Sequence, residues 1–412
     1  MEQAKPNPWL HAFALCTAFV TLVLIAVGGL VTSHEAGMAV PDWPNSYGYN
    51  MFLFPISKWV GGILYEHTHR LIASTVGLLV VALTRWIGGR PSRLPLILIG
   101  VAEVAAGLLV PHFWADWKAA GYFLSGIGGL VLLAGIVWVR NRPAKRPLPL
   151  LVWIAFGLVQ AQGLLGGLRV VLMKYQVGIY HAALAQIFFS LLCVIALLTA
   201  GWWRKRLAPS DVVREDSISR SLVVLYCLTT ALIFGQLLLG ATMRHQHAGL
   251  SIPDFPLAYG KWWPAMDAQS VQRYNEQRLE IVHYRPITAA EILLQMVHRM
   301  VAGAILLSVA ACAALSWRRK GGMARVVAKF SRVWLCLVIA QAGLGAWTIW
   351  SGKAADIATA HVVTGALLLA SGAMLSVSAA AAAKLARTVP FPASADALST
   401  AALSHPAATA NA

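Results

Sequence analysis

The sequence predicts an all-α protein that crosses a membrane about ten times, with two pseudo-symmetric four-helix halves and one inserted helical hairpin. Three observations predict this class. The 412 residues are 58% hydrophobic and only 12% charged, whereas a soluble domain carries about twice that charged fraction. Apolar runs of about 20 residues, long enough to cross a bilayer as a helix, recur along the chain. Two distant segments also have nearly the same sequence.

The repeated segments are VTSHEAGMAVPDWPNSYG at 31–48 and MRHQHAGLSIPDFPLAYG at 243–260. Each follows one apolar run and precedes another that begins with a His-Arg pair, at His69 and at His298. A duplicated half brings duplicated histidines, and a histidine inside a membrane is costly unless it has a function.

The predicted helices follow the apolar runs in chain order, and basic residues indicate their direction. Basic clusters at 85–93, 140–146, 204–206 and 318–325 fall in every second connection, as the positive-inside rule expects for cytoplasmic loops. Both termini are therefore expected in the cytoplasm.

A basic face built for nucleic acid would not skip alternate loops, so the net charge of +17 predicts no nucleic-acid partner. The ten predicted spans are 12–32, 69–88, 94–110, 121–139, 149–168, 179–201, 221–242, 292–316, 330–350 and 358–383.

Alignment of the two halves locates the hairpin. His69 precedes Gln162 by 93 residues, whereas His298 precedes Gln341 by 43 residues, so the first half has about 50 additional residues. This is the length of one transmembrane hairpin. The predicted units are an N-terminal half at 1–93 and 140–205, the hairpin at 94–139, a C-terminal half at 206–383 and a disordered cytoplasmic tail at 384–412.

The two exported loops, 33–68 and 243–291, are long and rich in Pro and Trp, which is typical of functional lids. A polar stretch within the second loop, 267–286, predicts a short surface helix. The five cysteines all fall inside apolar spans without a CxxC spacing, and we expect them to be small buried hydrophobes.

Four histidines form the candidate site: His69, His181, His298 and His361. Two lie in each half, and all four are expected near the exported ends of their helices. Two imidazoles at matched depth on two helices of a bundle are what axial ligation of a haem iron requires, so the pattern predicts two haems, one per half. Packed, hydrogen-bonded histidines are the ordinary alternative. A zinc or copper site would instead require three or four converging ligands from one cluster.

The other histidines lack this symmetric support. His67 is two residues from His69 and points to the opposite helix face, so both cannot ligate one iron. The functions of His67, His245 and His247 stay open, with His247 a candidate substrate or metal contact. The remaining loop histidines, together with His245, are expected to be solvated or part of a lid: His34, His112 and His283.

One charge breaks the symmetry between the halves. Glu66 lies three residues before His69 and shares its helix face, while Gln295 occupies the corresponding position before His298. The difference predicts a reactive first site and a structural or electron-transfer second site; an interfacial, water-facing Glu66 is the alternative. Four arginines in the exported layer are candidate contacts for haem propionates; the alternative is that their side chains extend to lipid headgroups. They are Arg70, Arg299, Arg169 and Arg244. Asp42 and Asp254 are expected to cap their loops.

In these residues the sequence resembles the haem A synthase family, over nearly all of the chain except the hairpin and the tail. The marks are Glu-x-x-His-Arg at 66–70, His-Arg at 298–299, the AGxxxPD(W/F)P loops, His181 and His361. The family fold is an eight-helix bundle of two four-helix halves. Some members have a cysteine pair in the first exported loop, but here those positions are Val40 and Ser46, so a thiol role is not expected.

The resemblance implies oxidation of the C8 methyl of haem O to the formyl group of haem A by successive hydroxylation. His69 and His181 would bracket the substrate haem, while His298 and His361 would hold haem b, which relays electrons. Glu66 would act at the substrate methyl, by proton transfer or by electrostatic stabilisation. The implied location is the bacterial inner membrane, with the haem sites near its exported face. The implied partners are a haem O synthase, an electron donor, membrane lipid and terminal oxidase assembly, and a homo-oligomer stays open.

Two other classes of function use parts of the same pattern. A two-haem b cytochrome that only transfers electrons needs the four histidines but not Glu66. A transporter could also contain two repeats, but the spans have few midplane charges and few broken helices.

Overall fold

The computed structural model describes residues 7–137, 143–144, 147–206, 218–278, 285–319 and 321–388. These residues form twelve α-helices and no strands, and ten of the helices are long and apolar enough to span a membrane. The protein is therefore an all-α integral membrane protein, as predicted. The helices are α1 (Pro8–Ser33), α2 (Gly62–Gly88), α3 (Arg93–Phe113), α4 (Lys118–Ile136), α5 (Leu148–Leu172), α6 (Tyr175–Thr199), α7 (Gly201–Arg206), α8 (Arg220–His245), α9 (Ala268–Glu276), α10 (Ala289–Ser316), α11 (Gly322–Trp350) and α12 (Ala355–Thr388).

Both repeats close into the same ring of four helices. In the first half, α1 packs on α2, α2 on α5, α5 on α6, and α6 back on α1. In the second half, α8, α10, α11 and α12 pack in the same cyclic order. The halves meet mainly where α12 contacts α6 and α1, and where α6 contacts α8. Each half also has its own apolar core, around Leu83 and Ile195 in the first and around Val309 and Trp334 in the second.

The hairpin of α3 and α4 packs chiefly on itself, and α4 also contacts α2. Glycines make the close approach of α3 and α4 possible. A Cβ at Gly100 would lie 2.4 Å from the backbone nitrogen of Leu132, and a Cβ at Gly107 would lie 2.4 Å from the carbonyl oxygen of Gly121. Small residues at such a crossing allow tight van der Waals packing between membrane helices.

Three details of the sequence-based predictions need correction, and a fourth is confirmed. The second span begins at Gly62 and not at 69, because polar residues of its first two turns are buried against the first loop. The helix predicted to end at 383 continues to Thr388, and the tail predicted beyond it lies outside the described residues. Cys16, Cys227 and Cys336 are exposed on the helix surface, because a membrane helix presents apolar side chains outward as well as inward. The short helix predicted in the second loop is confirmed as α9, which Asp267 caps through the backbone N–H of Ser270.

Candidate functional site

The two exported loops share one internal framework. In the first loop, the Asp42 carboxylate accepts hydrogen bonds from the backbone N–H groups of Tyr47 and Gly48, both at 2.7 Å. In the second, Asp254 accepts the corresponding bonds from the next Tyr-Gly pair, at 2.7 and 2.9 Å. Each loop also contains one cis peptide bond, Trp43–Pro44 and Phe255–Pro256. The capping role predicted for the two aspartates is confirmed.

Arg70 and Arg299 fasten these loops to the helices below them. Arg70 donates to the carbonyl oxygens of Val40, Asp42 and Asn45 at 2.7–2.9 Å, and its side chain is 9% exposed. Arg299 donates to the carbonyls of Leu257 and Asp254 at 2.9 and 2.7 Å. Both guanidinium groups thus line the cavity while their hydrogen bonds go to the loops.

Glu66 and Gln295 make matching contacts with their loops. Glu66 is buried, accepts a hydrogen bond from the Val40 backbone N–H at 2.9 Å, and forms an ion pair with Arg70 at 2.8 Å. Gln295 accepts a bond from the backbone N–H of Ile252, the repeat counterpart of Val40, also at 2.8 Å. The position therefore anchors the loop in both halves, and only the first half places a negative charge there.

All four candidate histidines line a single cavity of about 1450 Å³, which extends through both halves. Ordinary small-molecule pockets have volumes of about 300–1000 Å³, so this cavity has room for more than one ligand. Each histidine ring lies against a glycine of the neighbouring helix. A Cβ at Gly28, Gly166, Gly240 and Gly345 would lie 2.9, 3.5, 3.4 and 3.2 Å, respectively, from Cε1 of His69, His181, His298 and His361.

These glycines occupy repeat-related positions, Gly28 with Gly240 and Gly166 with Gly345, so the duplication preserves the seat of each ring. The Nδ1 atoms of all four histidines are buried without a hydrogen-bond partner. A buried polar atom without a partner is rare in folded proteins and calls for an explanation such as a ligand. The four side chains therefore fit ligation inside the cavity. Among the described residues, no three His, Cys, Asp or Glu side chains converge as in a zinc or copper site.

Each half has one arginine at the cavity wall, but the two arginines lie on helices that do not correspond in the repeat. Arg244 lies in the last turn of α8, and its repeat counterpart on α1 is Thr32. Arg169 lies on α5, and its counterpart on α11 is Thr348. All four line the cavity. Each half therefore has one arginine and one threonine at these two positions, but on opposite helices.

The two arginines differ in their surroundings. Arg244 donates to the Gly29 carbonyl and the Ser33 hydroxyl of α1. Arg169 lies over Gly37, where a Cβ would overlap its guanidinium, and it is within electrostatic reach of His69 and His181. Within the described part of the chain, Arg169 has no hydrogen-bond or ion-pair partner.

The other histidines have varied surroundings. His67 of α2 is completely buried beside Phe54 and Trp59, and its Nδ1 lies 3.0 Å from the Ser46 hydroxyl. Its contacts are therefore with the first loop. His247 is exposed and 3.5 Å from the Glu35 carboxylate. The prediction that His245 is solvated or part of a lid is wrong: the side chain lines the cavity, because Gly178 of α6 leaves room for the ring. His34 is exposed and stacks on Tyr65, while His112 lies in the last turn of α3. His283 lies outside the described residues.

Sequence reasoning missed two features of the site. The glycine seats of the histidines could have been found from their repeat-related spacing, since Gly28 and Gly240 precede the two loops at equal distances. The contribution of α4 to the cavity wall had no such signal, because the hairpin has no counterpart in the second half.

This geometry defines the class: a two-repeat helical membrane protein with two pairs of histidines facing a shared cavity. The chain belongs to the COX15-CtaA family, described as cytochrome oxidase assembly protein, whose model matches residues 112–373. The matched region contains His181, His298 and His361, and it begins after Glu66 and His69.

Relatives named heme A synthase extend the similarity beyond that region. The protein of Sphingopyxis alaskensis is 25% identical over 375 residues, 88% of each chain. The protein of Rhizorhabdus wittichii is 23% identical over 397 residues, 89% of this chain and 94% of its own. The protein of Bradyrhizobium sp. is 27% identical over 260 residues, 62% of this chain and 67% of its own. The alignment with the first two spans most of the ten-helix protein.

Proposed function

We propose that this protein is a haem A synthase, an oxidoreductase that converts the C8 methyl of haem O to the formyl group of haem A. Two successive hydroxylations of that methyl, followed by loss of water, leave the formyl group. The observation that carries the proposal is the presence of four histidines, each seated on a repeat-related glycine and facing one cavity. The names of the relatives favour this activity over electron transfer alone.

We assign a different porphyrin to each half. His69 and His181, in the half formed by 1–93 and 140–205, would hold the substrate haem O. His298 and His361, in the half formed by 206–383, would hold haem b, which supplies one-electron transfer when bound. The assignment rests on Glu66, because a buried carboxylate lines the cavity beside the first pair and an amide stands beside the second.

Glu66 is the proposed catalytic residue. Val40 and Arg70 hold its carboxylate at the cavity wall, so it is oriented before the substrate binds. In that position it would accept a proton from the reacting carbon substituent or stabilise positive charge that develops there. Gln295 retains the loop contact but cannot supply the negative charge, which is why the second half is not assigned the reaction.

Arg169 is the proposed contact for the porphyrin carboxylates of haem O, in preference to Arg70 and Arg299. The hydrogen bonds of Arg70 and Arg299 go to loop carbonyls and Glu66, which leaves their guanidinium groups less able to serve an anion. Arg169 lines the first half of the cavity without another partner in the described residues. A guanidinium–carboxylate pair in a poorly hydrated site is strong and directional.

The proposed location is the bacterial inner membrane, with both termini in the cytoplasm and the histidines near the exported face. The alternation of basic clusters supports this orientation. The reaction requires a haem O synthase as the source of substrate and an electron-transfer partner, and its product would serve the assembly of a terminal oxidase.

The test is haem extraction from cells that produce this chain together with a source of haem O. We expect haem A in the extract, and none when an inactive His69→Ala variant replaces the wild type. Haem b alone in the purified protein, with no haem A in the cells, would instead identify a two-haem cytochrome.

A further inference from the structure

We propose that the first half contains a prenyl-chain groove, formed by α2, α4 and α5, that binds the isoprenoid side chain by which haem O differs from haem b. This inference rests on the proposed function and assigns a task to the hairpin. One face of α4 lines the same cavity as the histidines, through Ala119, Phe123, Gly126, Ile127 and Leu130.

The stripe that these five residues form on α4 is long and apolar, and the same cavity is also lined by Lys118, Tyr122 and Val131 of that helix. The stripe residues recur at intervals of three and four, so they lie on one side of the helix. From Ala119 to Leu130 the stripe runs about 17 Å, at the helical rise of about 1.5 Å per residue. It begins near the first loop, where Phe123 contacts the Trp43 ring edge-on at a centroid distance of 5.7 Å. A stripe of this shape fits a linear hydrocarbon chain better than a compact group.

Three glycines, one from each helix, open the space. Gly77 on α2, Gly126 on α4 and Gly163 on α5 all line the cavity, and a Cβ at any of them would have no neighbour within 4 Å. The walls beside these glycines include aliphatic side chains, Val81 on α2 and Val159 on α5, and the polar Ser74 and Gln160 line the same cavity. Burial of a prenyl chain against the aliphatic part is favourable in proportion to the apolar area removed from water.

The second half lacks the combination of features that forms this groove. The repeat counterpart of Gly77 is Leu306, which packs against the second apolar core, and that of Gly163 is Ala342. One open glycine of α10, Gly303, does line the cavity one turn before Leu306. In the described part of the chain, however, no hairpin lies beside α10 and α11 to form an outer wall. The groove is therefore confined to the half assigned to haem O, and it is missing where we assign haem b, the porphyrin without the prenyl chain.

The test uses the purified full-length protein with haem b already bound at its second-half site. This protein is titrated with haem O and, in a separate experiment, with haem b, and binding is followed by the Soret absorbance. We expect the wild type to bind haem O more tightly than haem b at the first-half site. Gly77→Leu, which installs the second-half residue, and Gly126→Leu should each weaken haem O binding about tenfold, equivalent to the loss of about two buried methylene groups, with haem b affinity unchanged.

Gly129→Leu is the matched control, because Gly129 is a glycine of α4 with open space around it that does not line the cavity. It should leave both affinities unchanged, and retention of haem b at the second-half site reports folding of each variant. If the wild type binds haem O and haem b with equal affinity at the first-half site, the proposal is overturned before any variant is tested. That result would favour a lipid chain as the occupant of the groove.

Equal weakening of both haems by Gly77→Leu and Gly126→Leu would also overturn the proposal, because the substitutions would then act on the macrocycle. If no haem binds to the wild-type first half, or if His69→Ala changes nothing, the proposed function fails independently of the groove.

Discussion

The two halves share one ring of four helices, the same glycine seats for two histidines, and the same aspartate-capped loop. They differ in what surrounds those parts. The first half has Glu66 at its loop anchor, an arginine on α5, an open glycine on α2 and the hairpin; the second has Gln295, an arginine on α8 and Leu306. Under the proposed function, the shared parts are the ones that a bound porphyrin would need, whereas the differences would set which porphyrin binds and whether it reacts.

The largest expected effect is the loss of one haem with one histidine, because an axial ligand cannot be replaced by a methyl group. His361→Ala should remove about half of the bound haem, with haem O still binding to the first half. His69→Ala should do the reverse and leave the second-half spectrum intact. Pyridine haemochrome analysis of both proteins checks this, and loss of both haems from either variant would contradict two separate sites.

The next effect concerns the charge difference between the halves. Glu66→Gln should reduce haem A formation about 10²-fold, the lower end of the contribution of a general acid–base group. The loop should stay in place, since a glutamine anchors it in the second half. The measurement is haem A yield beside haem O affinity.

The affinity of Glu66→Gln for haem O should be unchanged if the residue acts on the reaction and not on binding. Gln295→Glu is the reciprocal control and should not create a second reactive site, because the second half lacks the groove. A full yield of haem A from Glu66→Gln would remove the catalytic role.

The different helix positions of the two arginines allow a rescue experiment. Arg169→Thr should weaken haem O binding about tenfold through the loss of one charge-assisted contact. A second substitution, Thr32→Arg, places an arginine where the second half has Arg244 and should recover most of the affinity. The readout is titration with haem O and with its propionate dimethyl ester.

The ester should bind equally to the wild type and to Arg169→Thr, since it has no carboxylate to pair. A difference that persists with the ester would mean that Arg169 acts through packing.

The smallest effect concerns the loop caps. Asp42→Asn should cost about 1 kcal/mol of loop stability, because the N–H groups of Tyr47 and Gly48 donate to different carboxylate oxygens and an amide retains only one acceptor. Asp254→Asn should cost the same, since the contacts correspond. Hydrogen exchange at Gly48 and Gly260 measures both, and an effect confined to one half would indicate that the loops are not equivalent.

Much of the site was predictable because the internal duplication repeats its residues in both halves of the sequence. The four histidines, the Glu66–Gln295 difference and the two capping aspartates follow from aligning the chain with itself. Arg70 and Arg299 are different: their neighbours in sequence are histidines, yet they donate to loop carbonyls that are 25 to 45 residues away. No local pattern encodes contacts of that separation.

By itself the sequence determined the membrane class, the spans, the repeat and the histidine pairs, because hydropathy and internal similarity are linear properties. Only the tertiary structure decided that His67 of α2 is buried against the first loop while His245 lies at the cavity wall. It also decided that α4 joins α2 at the first site and that Arg169 and Arg244 occupy matching places on different helices. Those outcomes depend on which helix faces meet, and the facing partner of a membrane helix is set by packing of small residues that the apolar pattern does not distinguish.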